Sequence, residues 1–177
     1  MGITQTPSAS GYSVPNWQLI SSASPSGVVS YTFSGISGYS KLRLVVELIT
    51  AGASGTFGTI SIQPNADSTA THYLANSILF SGSISVGSNP GSYASLIASN
   101  AQFGASSTVF GEWEIDNANN STAPKNVNFW LTSSASGISQ NNGTAIFTPT
   151  AAITSILFGN PAGTGTISGN LYLLGAN

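Results

Sequence analysis

The chain has no cysteine, one histidine and very little charge: three Lys or Arg and five Asp or Glu in 177 residues. Without thiols there is no disulfide framework and no thiolate metal site. Charged residues are 5% of the total, against a soluble average of about 25%. Binding to a nucleic-acid backbone draws on clustered Lys and Arg, and three cations cannot supply it. Long apolar runs are missing too. The longest stretch, 42–49, is interrupted by Arg43 and Glu47, which argues against a membrane-spanning helix and a membrane partner. The opening Met1-Gly2-Ile3-Thr4-Gln5 carries neither the basic stretch nor the apolar segment of a secretory signal. With Thr6 it fits the outline of a myristoylation pattern, a short one that Thr-rich chains match by chance.

What is present points to a packed core. Hydrophobic residues make up 41% and aromatics 10%, with a mean hydropathy of +0.19. Disordered chains pair low hydrophobicity with high net charge, and this chain has neither. Its polar side chains are mostly the neutral Ser, Thr and Asn. A formal charge of -2 gives little mutual repulsion, which suits a subunit of an assembly better than a dilute monomer.

Alternating apolar and polar positions dominate. In 41–48, Leu42, Leu44, Val46 and Leu48 share one face, opposite Lys41, Arg43, Val45 and Glu47. Further strands are expected at 28–33, 59–63, 79–86, 108–116, 127–131, 145–147, 153–158 and 169–174. Turn clusters fall between them, among them Ser34-Gly35, Ser37-Gly38, Asn89-Pro90-Gly91 and Asn141-Asn142-Gly143. Residues 72–78 suit a short helix or turn, and 92–99 are ambiguous. About nine short strands at regular spacing predict an all-β fold, a single jelly-roll-like β-sandwich over residues 15–177. Residues 1–14, rich in Ser, Thr, Gly and Pro, read as an extended N-terminal arm.

Each candidate site has a plain structural reading beside a chemical one. His72, five residues after Asp67, is the one imidazole available to a Ser-His-Asp triad; with no nucleophile-elbow motif it reads as a structural or surface histidine. Glu112, Glu114 and Asp116 share one strand face at about 7 Å spacing, near the carboxylate separation of glycosidases. Catalysis by Glu112 and Glu114 would need an apolar pocket around one of them. Asp116, Asn117 and Asn119 offer oxygen ligands, but not at calcium-loop spacing. The favoured reading is an acidic face paired with Lys41, Arg43 or Lys125, within the sheet or across a subunit contact. Trp113 and Trp130 lie mid-strand and read as core, whereas Tyr12, Tyr39 and Tyr93 lie in Gly/Ser-rich loops and suit an interface or ligand surface. Sequons at Asn119, Asn120 and Asn142 matter only in a secretory pathway. No catalytic residue, cofactor or metal ligand is assigned.

Five segments carry a resemblance: Trp17-Gln-Leu-Ile20; Tyr31-Thr-Phe-Ser-Gly-Ile-Ser-Gly-Tyr-Ser-Lys-Leu-Arg-Leu44; Phe110-Gly-Glu-Trp-Glu-Ile115; Ala152-Ile-Thr-Ser-Ile156; and Gly169-Asn-Leu-Tyr-Leu-Leu-Gly175. In this order they resemble small jelly-roll proteins on the virions of tailed bacteriophages. Members of that group often carry an Asn-Gly-Asp strand end followed by Tyr, where this chain has Pro64-Asn65-Ala66-Asp67 and then Tyr73. The resemblance implies a non-enzymatic virion structural protein on the capsid exterior, a decoration or cement subunit. Its partners would be the major capsid protein and itself, as a homotrimer at local three-fold points. The alternative is a tail-fibre or spike head that binds a host-surface glycan. On either reading the contacts are expected from Thr4, Gln5 and Tyr12 in the arm, from Tyr39 and Tyr93 in loops, and from Lys41, Arg43, Glu112 and Glu114. The segment 4–12 would anchor the chain to the shell.

Overall fold

The computed structural model describes residues 15–51, 60–80, 84–90, 96–97, 107–134, 139–159 and 165–177. Period-2 alternation of apolar side chains builds twelve strands among them. Eight form one antiparallel sheet: β1 (Gln18–Ala23), β3 (Lys41–Ala51), β5 (Tyr73–Phe80), β6 (Ile84–Pro90), β8 (Thr108–Asp116), β9 (Lys125–Ser133), β10 (Ser139–Phe147) and β12 (Thr166–Ala176), in the order β1-β12-β3-β8-β9-β10-β5-β6. The other four are β2 (Ser30–Ser34), β4 (Ser61–Pro64), β7 (Leu96–Ile97) and β11 (Ser155–Gly159), ordered β2-β11-β4-β7. The chain passes back and forth between the sheets: β2 small, β3 large, β4 small, β5 and β6 large, β7 small. After the β8–β9–β10 meander in the large sheet come β11 (small) and β12 (large). This exchange is the jelly-roll pattern, widened by the meander lying between β3 and β5. The expected all-β sandwich is the fold; residues 1–14, the expected arm, lie outside the described residues.

One apolar core fills the space between the sheets. Leu42, Leu44 and Val46 of β3, Trp113 and Ile115 of β8, and Val127, Phe129 and Leu131 of β9 face Phe33, Ile62, Ile156 and Phe158 of the small sheet. Trp113 meets Phe158 edge-on, ring centres 5.7 Å apart, joining the two layers. Between β2 and β3 the chain turns through Gly35 and Gly38, both at positive φ, as the Ser-Gly pairs predicted.

Several expectations need correction. β1 falls where no strand is expected, and Asn89 and Pro90, read as part of a turn, end β6 opposite Ala75 and Leu74. Residues 73–80 are a strand, not a helix or turn: Tyr73, Ala75 and Ser77 point inward, but the small Ala and Ser hid the alternation. The run 79–86, read as one strand, is divided between the end of β5 and the start of β6. Asn141-Asn142-Gly143 lies inside β10 rather than in a turn. Gly143 is paired with Phe129, and the Phe129 ring occupies the space a Cβ at position 143 would need. The glycine there marks a close approach, not a bend. Among the described residues no helix is long and apolar enough to cross a membrane.

Candidate functional site

The functional candidates gather on the outer face of the large sheet. Alternation along β8 buries Val109, Trp113 and Ile115 and turns Glu112, Glu114 and Asp116 outward. The β3–β8 register sets Lys41 opposite Asp116, Arg43 opposite Glu114 and Val45 opposite Glu112. Lys41 Nζ donates to Asp116 and stands 3.9 Å from Glu114 Oε1. Arg43 Nη2 donates to Glu114 Oε2 at 2.6 Å, and its Nε lies 3.9 Å from Glu112 Oε2. The Asp116 hydrogen bond, with the nearby carboxylates, holds the Lys41 amine above its ordinary pKa against the opposing effect of burial. Above Arg43, the Trp17 ring stacks on the guanidinium 4.4 Å from its centre and so ties the lead into β1 to β3. Both Glu112 and Glu114 face the same cation. Neither sits in the apolar pocket that a catalytic carboxyl would use.

Lys125 departs from its expected pairing. It shares the inward parity of Val127 and Phe129, is fully buried, and meets no carboxylate. Instead its ammonium donates to the carbonyls of Asn120, Ala123 and Thr150 at 2.7, 2.9 and 2.8 Å. Burial pushes its pKa down. The side chain pins the 117–124 loop to the segment before β11.

His72 Nδ1 lies 2.7 Å from Asp67 Oδ2. Asp67 also accepts from the Thr69 amide at 2.8 Å, and its carbonyl accepts from the Tyr73 hydroxyl at 2.6 Å. Partial burial would raise the Asp67 pKa, but the Thr69 and His72 hydrogen bonds outweigh it and hold the carboxyl below the usual range. Burial pushes the Tyr73 phenol well above its ordinary pKa. These contacts close the turn between β4 and β5, a structural task for the histidine. Within it Asn65 Oδ1 accepts from the Thr154 and Ser155 amides, clamping the turn to β11.

Trp130, expected in the core, lies on the outer face. Val127, Phe129 and Leu131 are buried, and parity alone puts Trp130 opposite to them. Its ring packs against Phe110 with centres 5.3 Å apart. Strand alternation carried that signal, but the preference of Trp for interiors obscured it. Beside Trp130 a depression of about 540 Å³ runs over β9, β10 and β5, lined by Ile78, Asn142, Asn76 and Thr144. A second, of about 480 Å³, continues it past Asn128 to Leu74 and Ile146, sharing Asn76 and Thr144.

Of the expected contact residues, Lys41, Arg43, Glu112 and Glu114 come together in the ladder. Tyr39 lies half-buried over Gly175 and against the core, so its ring packs rather than projects. Thr4, Gln5, Tyr12 and Tyr93 lie outside the described residues. Among the described residues no group of three His, Asp or Glu side chains is arranged to hold a metal ion. No family model, curated protein or solved structure matches the chain.

Proposed function

We propose that this chain is a non-enzymatic structural protein of a bacteriophage virion, a decoration subunit that sits on the capsid exterior and cements neighbouring capsid proteins. One observation carries the reading. The five segments that resemble phage virion proteins are scattered over the sequence, yet they fold into two adjoining blocks. Gln18 to Ile20, Gly169 to Gly175, Lys41 to Leu44 and Phe110 to Ile115 fall on the consecutive strands β1, β12, β3 and β8; Tyr31 to Ser34 and Ile156 fall on the paired β2 and β11. Such an arrangement is what a shared jelly-roll topology gives, so the resemblance and the fold agree. The low charge supports the same reading, since subunits at high local density gain from a surface without strong mutual repulsion.

On this reading the subunit is a homotrimer at local three-fold points, and the segment 4–12 makes the anchoring contact with the major capsid protein. Quantitative mass spectrometry of purified particles that encode the chain tests it. Copies equimolar with the capsid subunit are the expected result. A few copies per particle would place the chain at a vertex or tail and favour the receptor-binding alternative; absence from particles overturns both. Deleting residues 4–12 is expected to abolish capsid binding and leave the thermal midpoint nearly unchanged.

A further inference from the structure

The trough on the outer face of the large sheet has a mostly apolar lining, including the Trp130 indole, into which asparagine amides and the Thr144 hydroxyl are set, and no ionisable side chain lines it. Trp130 and Ile78 wall one end, Leu74 and Ile146 the other. Between them Asn76, Asn126, Asn128 and Thr144 are exposed. The register sets them in rows: Glu114, Asn128, Thr144 and Asn76 across four strands, with Glu112, Trp130, Asn142 and Ile78 beside them. Asn142 Oδ1 is screened from solvent and receives no hydrogen bond from the described residues.

We infer that this trough is a binding site for a neutral oligosaccharide. The backbone amides of β9, β10 and β5 are spent on their ladders, so a ligand over this face is recognised by side chains alone. That disfavours an added peptide strand, which needs a free sheet edge. A sugar ring fits what remains. Its C–H face packs on the electron-rich face of an indole. Its hydroxyls radiate around the ring, and each asparagine amide offers both donors and an acceptor. The nearest acids, Glu112 and Glu114, face Arg43, so the trough lacks a free cation to hold an acidic sugar. Two depressions that share Asn76 and Thr144 are two subsites in line, the length of a short chain rather than a single residue.

The site gives a place to the glycan contact of the receptor-binding alternative without resting on the decoration reading, and it is tested on the isolated full chain, apart from any count of copies per particle. Maltotriose, cellotriose and triacetylchitotriose are titrated by calorimetry and tryptophan fluorescence, with sialyllactose as the acidic counterpart. The expected result is that at least one neutral trisaccharide binds with a Kd of about 1 mM or tighter, and sialyllactose more weakly. Trp130→Ala is expected to weaken that binding at least about tenfold. Thr144→Arg, at an exposed position in the shared middle of the trough, is expected to do the same with the thermal midpoint retained, which covers the case that Trp130→Ala fails to fold. Failure of all three neutral sugars to bind, a preference for sialyllactose, or binding indifferent to Thr144→Arg overturns the inference.

Discussion

At Lys125 a charge is held in the interior by geometry rather than by an opposite charge. Three carbonyls take its three protons, so the ammonium is desolvated but fully hydrogen-bonded. Lys125→Met keeps the volume and removes the donors. It is expected to cost about 3 kcal/mol in urea unfolding from the three orphaned carbonyls, and Lys125→Ala more, because it also leaves a cavity at a fully buried position. A near-neutral Lys125→Met would mean that those carbonyls find water. Ala66 offers the opposite case. It sits at φ +51°, where a Cβ is strained. Ala66→Gly is expected to raise stability by about 0.5 kcal/mol, even though glycine loses more chain entropy on folding. Nearby, the folded Asp67 carboxyl has a lowered pKa, so the unfolded chain takes up its proton first as pH falls. Its contribution is whole above about pH 4 and is lost as the pH drops through the folded value; thermal midpoints of Asp67→Asn should therefore fall less between pH 7 and pH 3 than those of the parent. The inward turn of Lys125 and the outward turn of Trp130 are both legible from strand parity alone. What misleads is residue type: a lysine is expected outside and a tryptophan inside.

Among the elements, β3 does the most joining. It lies between β12 and β8, and its outer side chains carry the ion ladder. These pairs are about a quarter to a third exposed, so each is worth little alone. The stack of Trp17 on Arg43 adds a specific geometry that lysine would not reproduce. Arg43→Met is expected to cost about 1 kcal/mol, less at about 1 M salt, where the ionic part is screened. A double-mutant cycle with Trp17→Ala should show coupling, because both changes break one contact. The alternation of 41–48 and 108–116 is strong enough by itself to give these strands their faces and the ladder its members. β5 and β10 are harder to read. Ala75 and Ser77 give a weak inward signal, and Asn-Asn-Gly has the chemistry of a turn. Only the partner ring of Phe129 explains why Gly143 continues a strand.

As a whole, the molecule pairs strands that are far apart in sequence. β1 lies on β12 and β2 on β11, so the first strands to be made wait for the last. Closing such large loops before any contact rewards them makes folding slow. Refolding by stopped-flow dilution from urea is expected to take about milliseconds to seconds, at the slow end for a chain of this size. Sequence spacing announces the sandwich, but not which strands become neighbours, since that depends on long-range pairing that no local window contains. The rims of the two sheets carry a further consequence. β1 is bulged between Leu19 and Ser21, β6 ends in Pro90, and β7 is two residues long. Each is a poor template for another chain's strand. A protein this short of charge has little repulsion across its skin to keep copies from zipping together, so at three of its four rims that task falls to flawed borders, β2 being the fourth.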